Sequence, residues 1–579
     1  MRTPGWARGA VWYQIFPERF CNGDVTNDPE ARWLERPGIT GWKVRRWTRE
    51  WYATDEWEER IGGLRSSIWH RRYGGDLAGI RQKLDYLQQL GVTALYLTPV
   101  FMARSAHKYD GASYHHVDPY FGPDPAGDFA ALAAVDETED PRTWIWTRAD
   151  RALLDLINDV HARGMRIILD GVFNHTGREC FAFKDLLRHG RKSPYANWYR
   201  IEEWNDALPH GFKVAGWFGH ASLPELARDH DTLAAPVRQY IFNAVRRWMD
   251  PHGNGDVQAG VDGWRLDVAF CVPHGFWKEF RAVVKGINPE AYLTGEVIEV
   301  APAYLQGDEF DALMNYPWLT SVVEFFVDRR TRISVETFDR RLREVRNAYP
   351  AEATAVMQNL LDSHDTARLA TMLMNPDGSF RDWGHYHQFS QALKNARYNV
   401  RKPTRDARRR QRLIVLFQMT YLGAPMIYYG DEVGMWGGND PCCRKPMVWR
   451  ELTYEAETRG PDGEAHEAEE VVCDDELYDW YRKLIALRRN SPALCEGRFE
   501  TVLCDNQKQV YVFKREHLRE TAVVALNNNE QAVQLDRRAL GLTESAVSAL
   551  THSRIGQRLV LQPVSGDVFL TRNPGVPSG

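Results

Sequence analysis

Four groups of chemically active side chains each close an apolar run of the sequence. They are Asn174 and His175 after RIILDGVF, Asp267 after GWRL, Glu296 after LTG, and His364 and Asp365 at the end of LLDSHD. Burying an unpaired carboxylate in a core is costly. Four polar groups in equivalent positions are therefore hard to explain as core residues, and they indicate one shared polar pocket.

Arg265 and Asp267 stand out in the stretch GVDGWRLDVAF (260–270). Residues two apart in a strand point to the same face, so the guanidinium and the carboxylate should lie side by side. Taken alone, a structural ion pair explains this spacing as well as a catalytic pair does. The other three polar groups favour the catalytic interpretation.

Paired carboxylates of this kind hydrolyse glycosidic bonds with retention when they lie about 5–5.5 Å apart, one as nucleophile and one as acid/base. A nearby guanidinium lowers a carboxyl pKa, so Arg265 makes Asp267 the candidate nucleophile. Glu296, between Gly295 and Val297, has no adjacent cation in the sequence and suits the proton donor. Asp365 is then expected to orient the sugar and accept its hydrogen bonds.

The elements that must position these residues read as a parallel barrel. Eight apolar runs alternate with helical patterns such as 77–91 and 150–164, both of which end at glycine. The runs cover 11–16, 94–100, 166–173, 261–268, 291–297, 312–316, 355–362 and 424–430. Strands that are apolar on both faces are typical of a (β/α)8 TIM barrel, whose active site lies at the carboxyl ends of the strands.

The remaining sequence predicts two further domains. The gap between the third and fourth runs is too long for one crossover, so we expect barrel residues 1–175 and 261–490 to enclose a small inserted domain at 176–260. Five short alternating segments after 490 predict an all-β sandwich at 491–579, namely TVLCD, QVYVFKRE, TAVVALNNN, RLVLQPV and GDVFLTR. The segment 123–147 reads as a further insertion, in which Trp144 and Trp146 could form a sugar platform or pack in the core.

Bulk composition excludes several classes of partner. The chain has 579 residues and a formal charge of −5, which disfavours nucleic acid and anionic membranes. The 21 tryptophans suit sugar binding, and the eight scattered cysteines show no zinc or CxxC spacing. No signal peptide and no apolar run of membrane-spanning length is visible, so we expect a cytoplasmic protein unless a leader has been removed.

The motifs resemble the four signature regions of the α-amylase family, glycoside hydrolase family 13. They are DGVFNH (170–175), GWRLDV (263–268), GEV (295–297) and LLDSHD (360–365). Within the family the chain is similar to the neopullulanase, cyclomaltodextrinase and maltogenic amylase group. Stretches such as QIFPERFCNGDVTNDP (14–29), HKYDGASYHHVDPYFG (107–122) and NDPCCRKPM (439–447) carry that likeness.

The resemblance implies roles for named residues. It assigns Asp267 as nucleophile, Glu296 as acid/base and Asp365 as transition-state stabiliser. It also places six side chains against the substrate, namely Tyr109, His175, Arg265, His364, Asp440 and Arg444. Asp170 and Asn174 fit supporting positions behind these groups, with a structural role for Asn174 equally open.

The segment NGDVTND (22–28) is a candidate calcium site. Asn22, Asp24, Asn27 and Asp28 crowd four oxygen-bearing side chains into one loop, which suits Ca²⁺, although an Asx-rich turn explains them too. The related enzymes place calcium here and add residues equivalent to Gly74 and Asp76. The resemblance therefore implies a structural Ca²⁺ bound by these six residues.

The chain also departs from the group. The relatives usually carry an N-terminal β-domain that builds a dimer, whereas this sequence starts almost directly at the first predicted strand. Monomer and homodimer therefore both remain open. Phe270 and Cys271 stand where Asn and Glu are common, which makes Phe270 the candidate for acceptor-side contact, and LPEL followed by Ala227 replaces MPKLN.

The leading hypothesis is a hydrolase that cleaves α-1,4, and in some substrates α-1,6, bonds of maltooligosaccharides, cyclodextrins or pullulan. The alternatives are a transglycosylase that uses the same site, and a non-catalytic carbohydrate-binding barrel. Products formed with and without added maltose separate the first two. The third is disfavoured because such chains usually lose catalytic carboxylates, all three of which are present.

Overall fold

Eight parallel strands form the centre of the protein in a computed structural model that describes residues 2–34, 36–330, 332–378, 380, 382–544 and 546–573. They are β1 (Trp12–Ile15), β2 (Ala94–Leu97), β3 (Arg166–Gly171), β4 (Gly263–Leu266), β5 (Tyr292–Gly295), β6 (Ala312–Leu313), β7 (Gln358–Leu360) and β8 (Ala424–Tyr428). Each strand lies within one of the eight predicted runs.

The strands close into a barrel. Each of β1 to β5 pairs in parallel with the next strand along the chain, while β8 pairs with both β1 and β7. A parallel bridge between Met314 and Gln358 joins the end of β6 to β7 and completes the circle. The strands are buried almost throughout, as expected for a sheet that is covered on both faces. The predicted TIM barrel is therefore confirmed.

Amphipathic helices cover the outside of the barrel. In the helix Arg148–Ala162, Leu153, Ile157 and Val160 recur at helical spacing on the buried face, and Thr147 caps its first turn. The pattern at 77–91 forms two helices that meet at Lys83. The principal helices are Leu77–Gln82, Leu84–Leu90, Arg148–Ala162, Ala235–Met249, His274–Ile287, Tyr316–Phe326, Val335–Asn347, Arg405–Thr420 and Asp475–Asn490.

The region between β3 and β4 contains two different kinds of structure. Its first part holds the helix Phe181–His189 and two small hairpins, Ile201–Trp204 with Phe212–Val214 and Arg228–Asp229 with Thr232–Leu233. Its last part, Ala235–Met249, packs beside the helix His274–Ile287 of the barrel layer. The predicted range 176–260 thus includes one helix that belongs to the barrel layer.

Between Arg498 and Arg572, the described residues form two antiparallel sheets around a small core. The strands are β9 (Arg498–Asp505), β10 (Val510–Glu516), β11 (Glu520–Asn527), β12 (Val533–Asp536), β13 (Val547–Ser548), β14 (Arg558–Leu561) and β15 (Ser565–Arg572). The order β9-β10-β11-β15-β13 makes one sheet, and β12 pairs with β14. The sequence patterns identified five of these strands and missed β12 and β13.

The insertion at 123–147 begins with the helix Pro125–Ala133 and packs its two tryptophans inward. Trp144 stacks on His115 with ring centroids 4.1 Å apart, and the Arg247 guanidinium lies 3.6 Å from the centroid of Trp146. These contacts favour core packing over a sugar platform. Among the described residues, no helix is both long and apolar enough to cross a membrane.

Candidate active site

The barrel register brings the two main carboxyls together. Leu266 at the end of β4 pairs with Gly295 at the end of β5, so the next residues, Asp267 and Glu296, leave neighbouring strands at the same height. The Glu296 backbone N–H donates to Leu266 O at 2.9 Å and continues this pairing. Both carboxyls therefore lie at the carboxyl end of the barrel, as parallel strand ends require.

Arg265 is fully buried and contacts three carboxyl groups. Its Nη1 donates to both oxygens of Asp170, at 2.8 and 2.9 Å, and to Asp267 Oδ1 at 2.9 Å. Its Nη2 lies 2.9 Å from Glu296 Oε2, but this N–H does not point at the oxygen, so the contact is an ion pair without a hydrogen bond. One guanidinium thus holds Asp267 and Glu296 in the same pocket.

Burial and like charge shape the protonation of this pair. The pKa values of Asp267 and Glu296 are both raised, and desolvation is the largest cause. Negative neighbours raise the two pKa values further, whereas Arg265 lowers both. Interacting carboxyls release their protons in separate steps, so the pair keeps one proton over an intermediate pH range. Arg265 donates a hydrogen bond to Asp267 but not to Glu296, and this bond favours the charged form of Asp267.

Val268 adopts a backbone conformation that is rare for a β-branched residue. Its φ of 37° and ψ of 47° lie in the left-handed region. This geometry lets the Val268 N–H donate to Glu296 Oε2 at 2.9 Å. Strain of this kind costs about 1–3 kcal/mol and persists where the surroundings require it.

Asp365 belongs to a third charged group on the loop after β7. His364 Nε2 lies 2.9 Å from Asp365 Oδ2, and Arg444 Nη2 lies 2.9 Å from Oδ1. Desolvation would raise the pKa of Asp365, but His364 and Arg444 together lower it well below its usual range. The side chain is 38% exposed, which leaves an ionised carboxylate open to the pocket. Arg444 Nη1 also holds Asp440 at 2.8 Å.

Tyr109 and His175 complete the same pocket. The Tyr109 hydroxyl lies 2.9 Å from Asp170 Oδ2 and 2.6 Å from His364 Nε2. The rings of Tyr109 and His364 stack with their centroids 5.4 Å apart. His175 Nε2 lies 3.2 Å from Tyr109 O. Desolvation lowers the pKa of His175 to about 4, so its ring is neutral around pH 7.

Two contributors to the site were missed by sequence reasoning. Gln14 Nε2 lies 2.8 Å from His364 Nδ1, which leaves the His364 Nε2–H to face Asp365 and Tyr109. The Tyr96 hydroxyl donates to Asp170 Oδ2 at 2.5 Å. Gln14 is the one amide side chain among the apolar and aromatic residues of VWYQIF. This isolated polar residue in a buried strand was the feature of the sequence that could have indicated its role.

Exposed aromatic side chains lie on loops that adjoin the candidate catalytic residues. Phe270 is 44% exposed and Phe218 is 71% exposed, while the Trp217 ring lies 5.7 Å from His175. The LPEL segment joins the inserted domain to the loop after β3, because Leu226 N donates to Asn174 O at 3.0 Å. Phe270 is thus exposed to solvent, and its contact with the acceptor stays a prediction.

The predicted calcium loop presents unsatisfied oxygens. Within the described residues, the buried Oδ1 atoms of Asn22 and Asn27 accept no hydrogen bond. Burial raises the pKa of Asp28 to about 6, as expected for a carboxyl placed where a cation would offset its charge. Asp24 Oδ1, in contrast, accepts from Thr26 N and Thr26 Oγ1.

The GGD turn supports that loop. Gly74 has φ +77°, and a Cβ there would lie 2.0 Å from Asp28 Oδ1. The Asp76 carboxylate accepts N–H bonds from Gly23, Asp24, Gly79 and Asn27 and so organises the loop. Hard oxygen donors around a tight glycine turn fit Ca²⁺.

Comparison with known proteins gives consistent matches. A family model for the α-amylase catalytic domain matches residues 14–138 and 149–497. Neopullulanase 2 of Thermoactinomyces vulgaris is 36% identical over 575 residues, which cover 98% of this chain and 78% of the relative. A cyclomaltodextrinase of a Bacillus species is 35% identical over 530 residues, covering 91% of this chain and 74% of the relative.

A solved structure shows the same architecture. The cyclic α-maltosyl-(1→6)-maltose hydrolase of Arthrobacter globiformis, in its ligand-free form, aligns with a TM-score of 0.71 at 28% identity. The alignment covers 99% of this chain and all of the other. The similarity therefore extends over the barrel, the inserted region and the β-sandwich.

Proposed function

Because this chain belongs to the α-amylase family, we propose that it is a retaining α-glucan hydrolase acting on α-1,4 and, in some substrates, α-1,6 bonds. The observation that carries the proposal is the pairing of Asp267 and Glu296 on the Arg265 guanidinium at the mouth of the barrel. The names neopullulanase and cyclomaltodextrinase support maltooligosaccharides, cyclodextrins and pullulan as substrates.

In the first step Asp267 attacks the anomeric carbon. Arg265 occupies Oδ1, which leaves Oδ2 to form the new C–O bond as the glycosidic C–O bond breaks. Glu296 gives its proton to the departing oxygen, and the ionised Asp365 stabilises the oxocarbenium-like transition state. The products are a β-glucosyl ester on Asp267 and a free acceptor-side sugar.

In the second step Glu296, now a carboxylate, takes a proton from water. The water oxygen bonds to the anomeric carbon as the ester C–O bond breaks, which frees Asp267 and restores the α configuration. A sugar hydroxyl that replaces the water gives transglycosylation. We propose that Phe270, whose side chain is exposed, contacts the acceptor and bears on the balance between the two reactions.

We also propose a structural calcium ion in the loop 22–28. The unpartnered oxygens of Asn22 and Asn27 and the carboxylates of Asp24 and Asp28 would hold it, with Gly74 and Asp76 completing the site. The bound cation would offset the buried charge and fix the loop after β1, and it takes no part in bond cleavage. A cytoplasmic location and the oligomeric state stay predictions.

One digestion experiment tests the activity. The protein is incubated with maltotriose, β-cyclodextrin, pullulan and panose in parallel, and the products are identified with and without added maltose. NMR should show the α anomer first. A β product would exclude retention, and no product from any of the four would exclude the proposed function.

The nucleophile is tested by Asp267→Asn. This change keeps shape but removes the attacking charge, so turnover should fall almost to zero while the melting temperature stays near that of the wild type. Asp308→Asn, on an exposed loop, is the matched control and should keep full activity. An active Asp267→Asn protein would refute the assignment.

A further inference from the structure

A cluster of two buried histidines and a half-buried glutamate lies outside the catalytic pocket. His115 and His116 belong to the loop after β2, and Glu137 comes from the insertion at 123–147. One ligand atom from each of the three falls within 4.8 Å of the others. Glu137 Oε2 lies 3.2 Å from His115 Nε2 and 2.7 Å from His116 Nε2. The two imidazoles thus converge on one carboxylate oxygen.

The far side of each ring is already fixed. His116 Nδ1 lies 2.8 Å from Asp150 Oδ2, and His115 Nδ1 lies 2.9 Å from the Tyr240 hydroxyl. Trp144 stacks on the His115 ring, with the two planes 10° apart. Metal-bound histidines have this arrangement, in which one nitrogen is held by a carboxylate or hydroxyl and the other faces the ion.

We propose that His115, His116 and Glu137 bind one divalent transition-metal ion of the Zn²⁺ class. Two imidazoles and one carboxylate suit this class better than calcium, which prefers oxygen ligands. Zinc binds nitrogen and oxygen at about 2.0–2.2 Å, so its ligand atoms lie about 3.3 Å apart in a tetrahedron. The two His–Glu distances, 3.2 and 2.7 Å, need to widen by tenths of an ångström, and all three ligand atoms lie within 4.8 Å of one another.

The proton balance permits this binding. With carboxylates against both of its nitrogens, His116 carries two protons without the metal, and it releases the Nε2 proton to solvent as the N–metal bond forms. His115 moves its proton from Nε2 to Nδ1, where the Tyr240 hydroxyl can accept it. Arg247, 3.0 Å from Asp150 Oδ2, keeps that carboxylate paired.

The site would join the insertion to the loop that carries Tyr109. Without the metal, Glu137 is held by the two imidazoles and by Ile145 N, which donates to Oε1 at 2.7 Å. A metal ion would replace two hydrogen bonds by coordinate bonds and would stabilise the fold. The bound ion is therefore expected to raise the melting temperature by several degrees.

The test uses the full chain, stripped with a chelator and kept in excess Ca²⁺ so that the oxygen-rich loop is saturated. Equilibrium dialysis against micromolar Zn²⁺ should load one equivalent per chain. Co²⁺ in its place should give the intense visible absorption of a tetrahedral site. Glu137→Gln and His116→Gln should both lose this equivalent, whereas Asp136→Asn, an exposed neighbour, should keep it.

Two results would overturn the proposal. One is a wild-type protein that binds no Zn²⁺ at micromolar concentration, and the other is the wild-type stoichiometry in both ligand variants. If the variants do not fold, the Co²⁺-loaded wild type decides the matter by NMR. Two exchangeable, strongly shifted imidazole N–H signals would support two histidine ligands, and their absence would exclude them.

Discussion

At the scale of single residues, Arg265 explains how two neighbouring carboxyls can differ in charge. Its side chain donates a hydrogen bond to Asp267 and meets Glu296 without one. Burial alone would push both carboxyls toward the neutral form. The asymmetry of the guanidinium contacts therefore favours the charged form of Asp267, in keeping with the proposed roles of nucleophile and acid.

Glu296→Gln should damage turnover according to the leaving group. Without a proton donor, maltooligosaccharides should lose about 10²- to 10⁴-fold in kcat/KM, because their leaving oxygen needs protonation. α-Maltosyl fluoride, whose leaving group needs little assistance, should lose far less. Both rates are compared with those of Glu299→Gln, an exposed neighbour that should behave as wild type. Equal losses on the two substrates would rule out the acid role.

His175 should make stability depend on pH. Its folded pKa of about 4 lies below the unfolded value of about 6.5, so the unfolded chain binds the extra proton. The stabilisation is complete above pH 6.5 and falls as pH drops toward 4. Between pH 7 and pH 5 the loss is about 2 kcal/mol.

Denaturant unfolding of His175→Gln measures this effect. The variant should lack that part of the pH dependence, so its stability and that of the wild type converge by about 2 kcal/mol from pH 7 to pH 5. His189→Gln, at an exposed position, should run parallel to the wild type. A constant gap between His175→Gln and wild type would contradict the pKa shift.

At the scale of elements, the spacing of apolar residues and the glycines that end helices made the barrel predictable from the sequence. Features that depend on tertiary contacts were not predictable in this way. All eight barrel strands were predicted from continuous apolar runs. A strand that is buried on both faces does not need to alternate apolar and polar residues. The strand Val547–Ser548 has only two residues and gives no pattern to read. Gln14 and Tyr96 were missed because their partners, His364 and Asp170, are brought close only by barrel closure.

The calcium loop yields a test at this scale. Gly74→Ala places a methyl group 2.0 Å from Asp28 Oδ1 and also forces a side chain into φ +77°. Gly38→Ala has a similar φ, +82°, but nothing lies within 4 Å of its Cβ. The control therefore isolates the backbone strain, which should lower the free energy of unfolding by about 1 kcal/mol. Gly74→Ala should lower it further and should weaken Ca²⁺ binding.

Calorimetry with and without a calcium chelator measures both effects. The chelator should lower the melting temperature of the wild type and of Gly38→Ala, but should change Gly74→Ala little. If metal analysis finds no calcium and the chelator leaves all three melting temperatures unchanged, the calcium assignment is wrong.

At the scale of the whole molecule, the β-sandwich is attached to the barrel by a buried aromatic interface. Phe513 of β10 is fully buried, with its ring 6.0 Å from Phe417 of the barrel helix Arg405–Thr420. Its neighbour Val512 faces the separate core of the sandwich, as alternation along a strand requires. Arg410 adds polar contacts to Asn528 and Glu530 across the same interface.

This arrangement predicts that the two domains unfold together only while the interface is intact. Phe513→Ala should lower the free energy of unfolding by about 3–5 kcal/mol, and the sandwich should then unfold before the barrel. Val512→Ala lowers the stability of the sandwich but leaves the interface in place, so one shared transition should remain. All 21 tryptophans precede residue 491, so tryptophan fluorescence follows the barrel while hydrogen exchange in β10 and β11 follows the sandwich. Coincident transitions in Phe513→Ala would show that other contacts, such as those of Arg410, couple the domains.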